Sequence, residues 1–282
     1  MNDPGREWLD ALPAELHRQQ RIIDGLIEAS TADDDIEWLV IGCSVARGAG
    51  DELSDLDMAV GVAGDEADFP AIARRVRRTV ERLGELVESY HHQLPGVPAP
   101  HERIFVQYAD RCQLDLVVLP ASAPGGSGPH AIVLYDPDQL LTVREERRPL
   151  APEQMREWAF HAWCALADLG KYLRRGSLWE AYERLHSARG QLWQLQAVAH
   201  GVRDPQYGIT SILDFAPESI PDEMRATVAD LDGAQLLRAA RQLAEMLNAV
   251  SGLLPENLST MLPHAMARYI TDDLNSLEIE VR

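Results

Sequence analysis

The sequence predicts an α+β protein: a small mixed-sheet domain followed by an α-helical bundle domain. Three observations predict it. Short apolar runs of strand length recur between residues 36 and 135. Beyond residue 150 the pattern changes to long helical periods at 152–175, 178–201, 221–231 and 233–252, separated by Gly176, Gly201 with Pro205, Pro217 with Pro221, and Gly233. A chain of 282 residues also matches a prior of roughly 150 residues per domain. The expected division is therefore 1–150 and 151–282.

The elements follow in order. In 13–29, Leu16, Ile22, Ile23, Leu26 and Ile27 recur with helical spacing, and the polar stretch 30–35 ends the pattern. Residues 36–41 read as a buried strand, 44–50 as a turn or short helix start, and 55–62 as a second strand. Residues 69–87 read as an amphipathic helix. Its Arg74, Arg75, Arg77, Arg78 and Arg82 are interleaved with Glu81, Glu85 and Glu88, the pattern of a solvated face rather than a basic patch. Further strands are expected at 87–91, 103–108, 113–119 and 131–135, with a flexible Gly/Ser/Pro loop at 121–128.

Charge is unevenly distributed. The formal net charge is −19, and residues 1–150 carry 27 acidic against 14 basic side chains. Such a field disfavours nucleic acid and anionic membranes, and favours a cationic co-substrate or phosphates that arrive with metal. Cys43, Cys112 and Cys164 lack the close pairing of a zinc site or disulfide framework, and read as buried thiols in a reducing compartment. Charged residues interrupt the first 30 positions, and no window holds the ~20 apolar residues of a membrane span, so the expected location is cytoplasmic. His91, His92 and His101 flank a Pro-rich loop without metal spacing, and read as surface histidines. Trp158, Trp163, Trp179 and Trp193 fall at helical positions, suited to a helical core or to lining a cleft.

One stretch carries chemistry. Ile41-Gly42-Cys43-Ser44-Val45-Ala46-Arg47-Gly48 is a small-residue turn, followed by Ser54-Asp55-Leu56-Asp57-Met58. On a strand, Asp55 and Asp57 would project to one face, about 6–7 Å apart, and two such charges repel unless a cation lies between them. Asp115 is the single charge in Gln113-Leu114-Asp115-Leu116-Val117-Val118-Leu119, costly to bury without a cation or hydrogen-bond partner.

Together these residues resemble the signature of the DNA polymerase β-like nucleotidyltransferase superfamily. The helical second half, and the Val133-Leu134-Tyr135-Asp136-Pro137 run that closes the first, look like the aminoglycoside and lincosamide adenylyltransferases. The resemblance implies a nucleotidyltransferase domain followed by a substrate-binding helical domain. It implies Mg²⁺ held by Asp55, Asp57 and Asp115, with ATP as nucleotide co-substrate bound by Gly42, Ser44 and Arg47. Asp115 would complete the metal shell or take the proton of the attacking hydroxyl as catalytic base. Lys171, the chain's one lysine, would reach the triphosphate from the second domain, although a lysine near a helix C-terminus also suits the helix dipole. The implied reaction moves AMP onto a hydroxyl of a small molecule, for which an aminoglycoside-type antibiotic is one candidate, in which case the role is antibiotic resistance.

The chain departs from the pattern at one place. Where the superfamily has an adjacent Gly-Ser pair, this chain has Cys43-Ser44, so a side chain stands where phosphate normally approaches backbone. Two alternatives stay open: a toxin–antitoxin-type enzyme with the same chemistry on protein or RNA, and, motivated by Cys43, a non-catalytic nucleotide-binding homologue. A nucleophilic Cys43 has no nearby histidine in sequence to activate it.

Overall fold

Residues that alternate apolar and polar along 56–60 and 113–118 bury every second side chain, and they form the centre of one six-stranded sheet. The structure is a computed structural model that describes residues 4–93, 100–123, 131–141, 150–254 and 256–278. It divides the chain into two compact units, Met1–Arg148 and Pro149–Arg282.

The first unit begins with α1 (Pro4–Asp10) and α2 (His17–Ala32). Strand β1 (Ile36–Ile41) leads through a one-turn helix, α3 (Cys43–Ala46), to β2 (Leu56–Val62) and then α4 (Phe69–Val80). Strands β3 (Leu86–His92), β4 (Glu102–Tyr108), β5 (Gln113–Pro120) and β6 (Ile132–Tyr135) complete the sheet in the order β3-β4-β5-β2-β1-β6. The β2/β5 pair is parallel, and every other neighbouring pair is antiparallel. The sheet is therefore mixed, as expected.

One face of the sheet carries the core. Leu39 and Ile41 of β1, Leu56, Met58 and Val60 of β2, and Leu114, Leu116 and Val118 of β5 are buried with Ile22, Ile23 and Ile27 of α2 and Ile72 and Val76 of α4. Pleating sends the intervening residues Asp57, Asp115, Arg103 and Phe105 to the other face. There Gly61 permits the close approach of the Trp38 indole, which a Cβ would meet at 2.0 Å.

In the second unit α5 (Pro152–Arg174), α6 (Leu178–Ala199), α7 (Ile209–Phe215), α8 (Gly233–Leu253), α9 (Glu256–Ser259) and α10 (His264–Ser276) follow in order. Trp158, Trp163 and Leu166 of α5, Leu185 and Leu192 of α6, Leu243 and Leu247 of α8, and Ile270 and Leu274 of α10 share one apolar core. Asp232 caps α8 by accepting from the Gln235 N–H at 2.9 Å, and Arg241 donates to the carbonyls of Leu274 and Leu277 at the end of α10.

Several expectations are corrected. Helix α4 stops at Val80 rather than 87, because the chain must turn at Gly84 beneath Tyr108 before β3 pairs with β4. Residues 221–231 hold only a 3₁₀ segment, Asp222–Thr227, since the Thr227 carbonyl that would accept from the next helical turn accepts from the Arg189 guanidinium instead. Among the six tryptophans, Trp158 and Trp163 are core residues, whereas Trp179 is 74% exposed. His101 is buried rather than on the surface. Of the cysteines, Cys112 is buried and Cys43 is exposed. The arginines of α4 do sit among acids: Arg75 pairs with Asp33 and Asp35, and Arg77 with Glu81 and Glu102. The expected loop at 121–128 lies outside the described residues beyond Ala123. Among the described residues no helix is long and apolar enough to cross a membrane.

Candidate active site

The parallel register of β2 and β5 sets Asp57 directly opposite Asp115. Partners in register point to the same side of a sheet, on strands about 4.8 Å apart. Both residues are half-buried, and both strands lie inside the sheet, so Asp115 is not at an edge. Asp55 precedes β2 and is exposed. Burial pushes the Asp57 carboxyl above its ordinary range; the charges of Asp55 and Asp115 add to this, while the Cys43 hydrogen bond and the Arg103 charge oppose it.

The turn before β2 is tied to this pair. The Gly42 N–H donates to the Asp57 carbonyl at 2.8 Å. Gly42 then caps α3 without any side-chain cap bond, and the first N–H groups of a helix have no partner within it. Ser44 lies in this single turn, half-buried. Arg47 closes the turn and is also half-buried, and its charge acts on the Cys43 thiol.

Cys43 has φ of +53°, a left-handed conformation that glycine adopts freely and other residues adopt at a cost. Its thiol donates to the Asp57 carboxylate. Cys43 is exposed as a residue, but its sulfur is turned to Asp57; desolvation there first, then that hydrogen bond and the negative charges of Asp57 and Asp55, push the thiol up to about 12 against the pull of Arg47. The protonated thiol is a weak nucleophile.

Two residues that sequence reasoning missed organise the site. Arg103 of β4 donates through Nε to Asp115 Oδ1 at 2.7 Å and Oδ2 at 3.0 Å, and its Nη2 also bonds Oδ2. Arg103 lies opposite Val117 in the antiparallel β4/β5 pair, so it reaches Asp115 diagonally. The second is Gln19, 1% exposed on α2, whose Nε2 donates to the Ser54 carbonyl at 2.8 Å and holds the loop that leads into Asp55. Within that loop Asp51 accepts from the Leu53 N–H and the Ser54 hydroxyl. Gln19 has a sequence signal: it sits three residues from both Leu16 and Ile22, on the apolar stripe of its helix.

Lys171 lies on α5 in the second unit. It pairs with Asp168 at 2.5 Å and stands 4.6 Å above the Tyr172 ring, so its charge is engaged within its own helix.

Among the described residues no group of three or more His, Cys, Asp or Glu side chains is gathered to hold a metal ion. Asp55, the third expected ligand, acts on Asp57 through its charge from the loop that precedes β2. The donor set still fits Mg²⁺, which usually takes one or two carboxylates and completes its coordination with water and phosphate oxygens. The Asp57/Asp115 pair supplies two hard oxygen donors on rigid strands.

No protein-family model matches the sequence, and no curated protein matches it. Among solved structures, the chain is similar to an aminoglycoside 6-adenyltransferase from Bacillus subtilis, at 13% identity and a TM-score of 0.36 over 94% of this chain and 100% of that one. It is similar to a nucleotidyltransferase-like protein from Exiguobacterium sibiricum, at 12% identity and a TM-score of 0.36 over 91% and 88%. It is also similar to the CD-NTase CdnG of Bradyrhizobium diazoefficiens, whose structure contains GTP, at 12% identity and a TM-score of 0.32 over 97% and 99%. These neighbours are of the kind that the motif resembles.

Proposed function

We propose that the protein is a nucleotidyltransferase that moves AMP from ATP, with Mg²⁺, onto a hydroxyl of a small molecule. One observation carries this reading: Asp57 and Asp115 stand in register on the same sheet face, at the end of a small-residue turn whose backbone is bonded to Asp57. Arg103 balances Asp115 in the free chain, and a cation that arrives with a polyphosphate can take over that balance and serve Asp57 as well.

In this reading Asp57 and Asp115 are the metal ligands, with Asp55 adding negative field from the edge of the site. When bound, Mg²⁺ would neutralise charge on the phosphates and on the attacking and departing oxygens. Gly42, Ser44 and the first turn of α3 receive the β- and γ-phosphates, and Arg47 supplies positive charge beside them. The acceptor oxygen forms a bond to the α-phosphorus while the bond to pyrophosphate breaks. The hydroxyl proton passes to a carboxylate; where Asp115, released by Arg103, takes that role, Asp57 holds the metal without it.

The acceptor class follows from charge. Residues 151–282 carry 18 acidic and 12 basic side chains, and such a field favours a cationic acceptor such as an aminoglycoside. The test is to incubate the protein with ATP, Mg²⁺ and a panel of aminoglycosides, lincosamides and neutral polyols, and to look by mass spectrometry for an acceptor carrying AMP. Adducts confined to the cationic compounds support the acceptor assignment; adducts on none of the panel sink it.

A second reading, a nucleotide-binding protein without turnover, is favoured by two observations. Cys43 occupies the left-handed position, and Asp115 is already satisfied by Arg103. ATP binding that Asp57→Asn leaves unchanged, together with no turnover by the native chain, would support it.

A further inference from the structure

Arg103 is the cation that the Asp57/Asp115 pair already has. Its guanidinium grips Asp115 through two nitrogens, and its charge acts on Asp57 as well. The Asp115 side chain is 14% exposed and that of Arg103 40%, so the carboxylate is covered while the guanidinium has an open side toward which it can withdraw. A bidentate arginine occupies both oxygens of a carboxylate in its own plane, which leaves little of either for a metal.

We propose that Arg103 is an exchangeable counter-ion for Asp115: it neutralises the carboxylate pair in the free protein, and a divalent cation binds there only by displacing it. This rests on the nucleotidyltransferase reading, whose metal ligands are the same two carboxylates. The consequence is ordered binding. The free protein holds divalent cations weakly, and a nucleotide triphosphate strengthens their binding, because it brings its own oxygen ligands and offers the displaced guanidinium a new anionic partner. Arg103 is thus a positioning residue, acting on the metal through Asp115.

Geometry makes the exchange feasible. Arg103 stands on β4 and Asp115 on β5 at a diagonal position, so the pair is made by a long side chain spanning the sheet face rather than by backbone register. His92 is opposite Arg103, and Tyr90 is opposite Phe105 on the edge strand β3. Guanidinium movement along this face breaks no backbone hydrogen bond.

The experiment is a Mn²⁺ titration of the full chain, read by electron paramagnetic resonance of free Mn²⁺, alongside thermal unfolding in EDTA and in Mn²⁺. Arg103→Met removes the charge and keeps much of the stem; Arg103→Gln keeps a donor for Asp115 without the charge; Arg103→Lys keeps the charge. The expected result is Mn²⁺ binding on the order of tenfold tighter in the Met and Gln variants, and nearly native in the Lys variant. In EDTA the Met variant unfolds at a lower temperature than the native protein, and Mn²⁺ removes that deficit. Adding Asp57→Asn abolishes the gain.

Equal or weaker Mn²⁺ binding by both uncharged variants overturns the proposal, as does a thermal deficit that Mn²⁺ leaves unchanged. If that happens while the native chain still releases pyrophosphate, the nucleotidyltransferase reading survives. Failure of native and variant chains alike to bind Mn²⁺, with or without ATP, removes both.

Discussion

Asp57 and Asp115 are direct register partners across the parallel β2/β5 pair. Asp57 is not placed there for stability, since the charge of Asp115 adds to the cost of ionising it. Asp57→Asn and Asp115→Asn are therefore expected to lower the rate of nucleotidyl transfer by roughly 10³-fold or more while the circular dichroism spectrum is kept. Native-like rates in either variant would remove that carboxylate from the mechanism.

The same relationship sets a pH dependence. Asp57 is raised above its unfolded value of 3.8 first by burial and then by its acidic neighbours. Its contribution to stability is thus fully present below pH 3.8 and is lost as pH rises through the higher folded value. In EDTA, Asp57→Asn should unfold at a higher temperature than the native chain at about pH 7, and the gap should shrink as pH falls toward about 4. A gap that is constant with pH would show that ionisation of Asp57 is not its source.

Cys43 gives two outcomes. A left-handed non-glycine residue costs of order 1 kcal/mol or more, part of which is returned to the unfolded chain's entropy when glycine replaces it. Cys43→Gly should therefore gain about 0.5 kcal/mol in urea unfolding, with tighter ATP binding as the turn opens to phosphate. The native thiol, exposed but raised to about 12, should be alkylated by iodoacetamide at about pH 8 far more slowly than free cysteine, and faster in Asp57→Asn. Rapid alkylation of the native thiol, traced by peptide mapping, would contradict the hydrogen bond to Asp57.

Gln19 supports the approach to the carboxylates through the Ser54 carbonyl. Gln19→Leu fills similar space but removes the donor to that part-buried carbonyl, at about 1 kcal/mol. Both the unfolding midpoint and the affinity for ATP should fall, the second because residues 51–55 lose their anchor. An unchanged affinity would separate the loop from the site.

Much of the first unit was legible because short strands with strict alternation announce their buried side: Leu56, Met58 and Val60 point one way, and Asp57 the other. The turn at 41–48 and the lone Asp115 were legible as chemistry because each breaks an apolar run without structural benefit. Arg103 was not, since its role depends on which strands become neighbours and in what register, and alternation within one strand says nothing of either. Residues 221–231 differ for another reason: the Thr227 carbonyl accepts from Arg189, 38 residues away, in place of a helical N–H. Helices α7 and α10 were passed over because their apolar faces are short, and Ile212, Ile270 and Leu274 declare themselves only by packing on other elements.

The central claim is tested most directly by pyrophosphate release from ATP, with Mg²⁺ and hydroxyl acceptors present, measured side by side for the native chain and Asp57→Asn. Release that requires both Mg²⁺ and an acceptor, and that Asp57→Asn abolishes, is the predicted result. ATP bound by the native chain with no pyrophosphate released for any nucleotide or acceptor would contradict it.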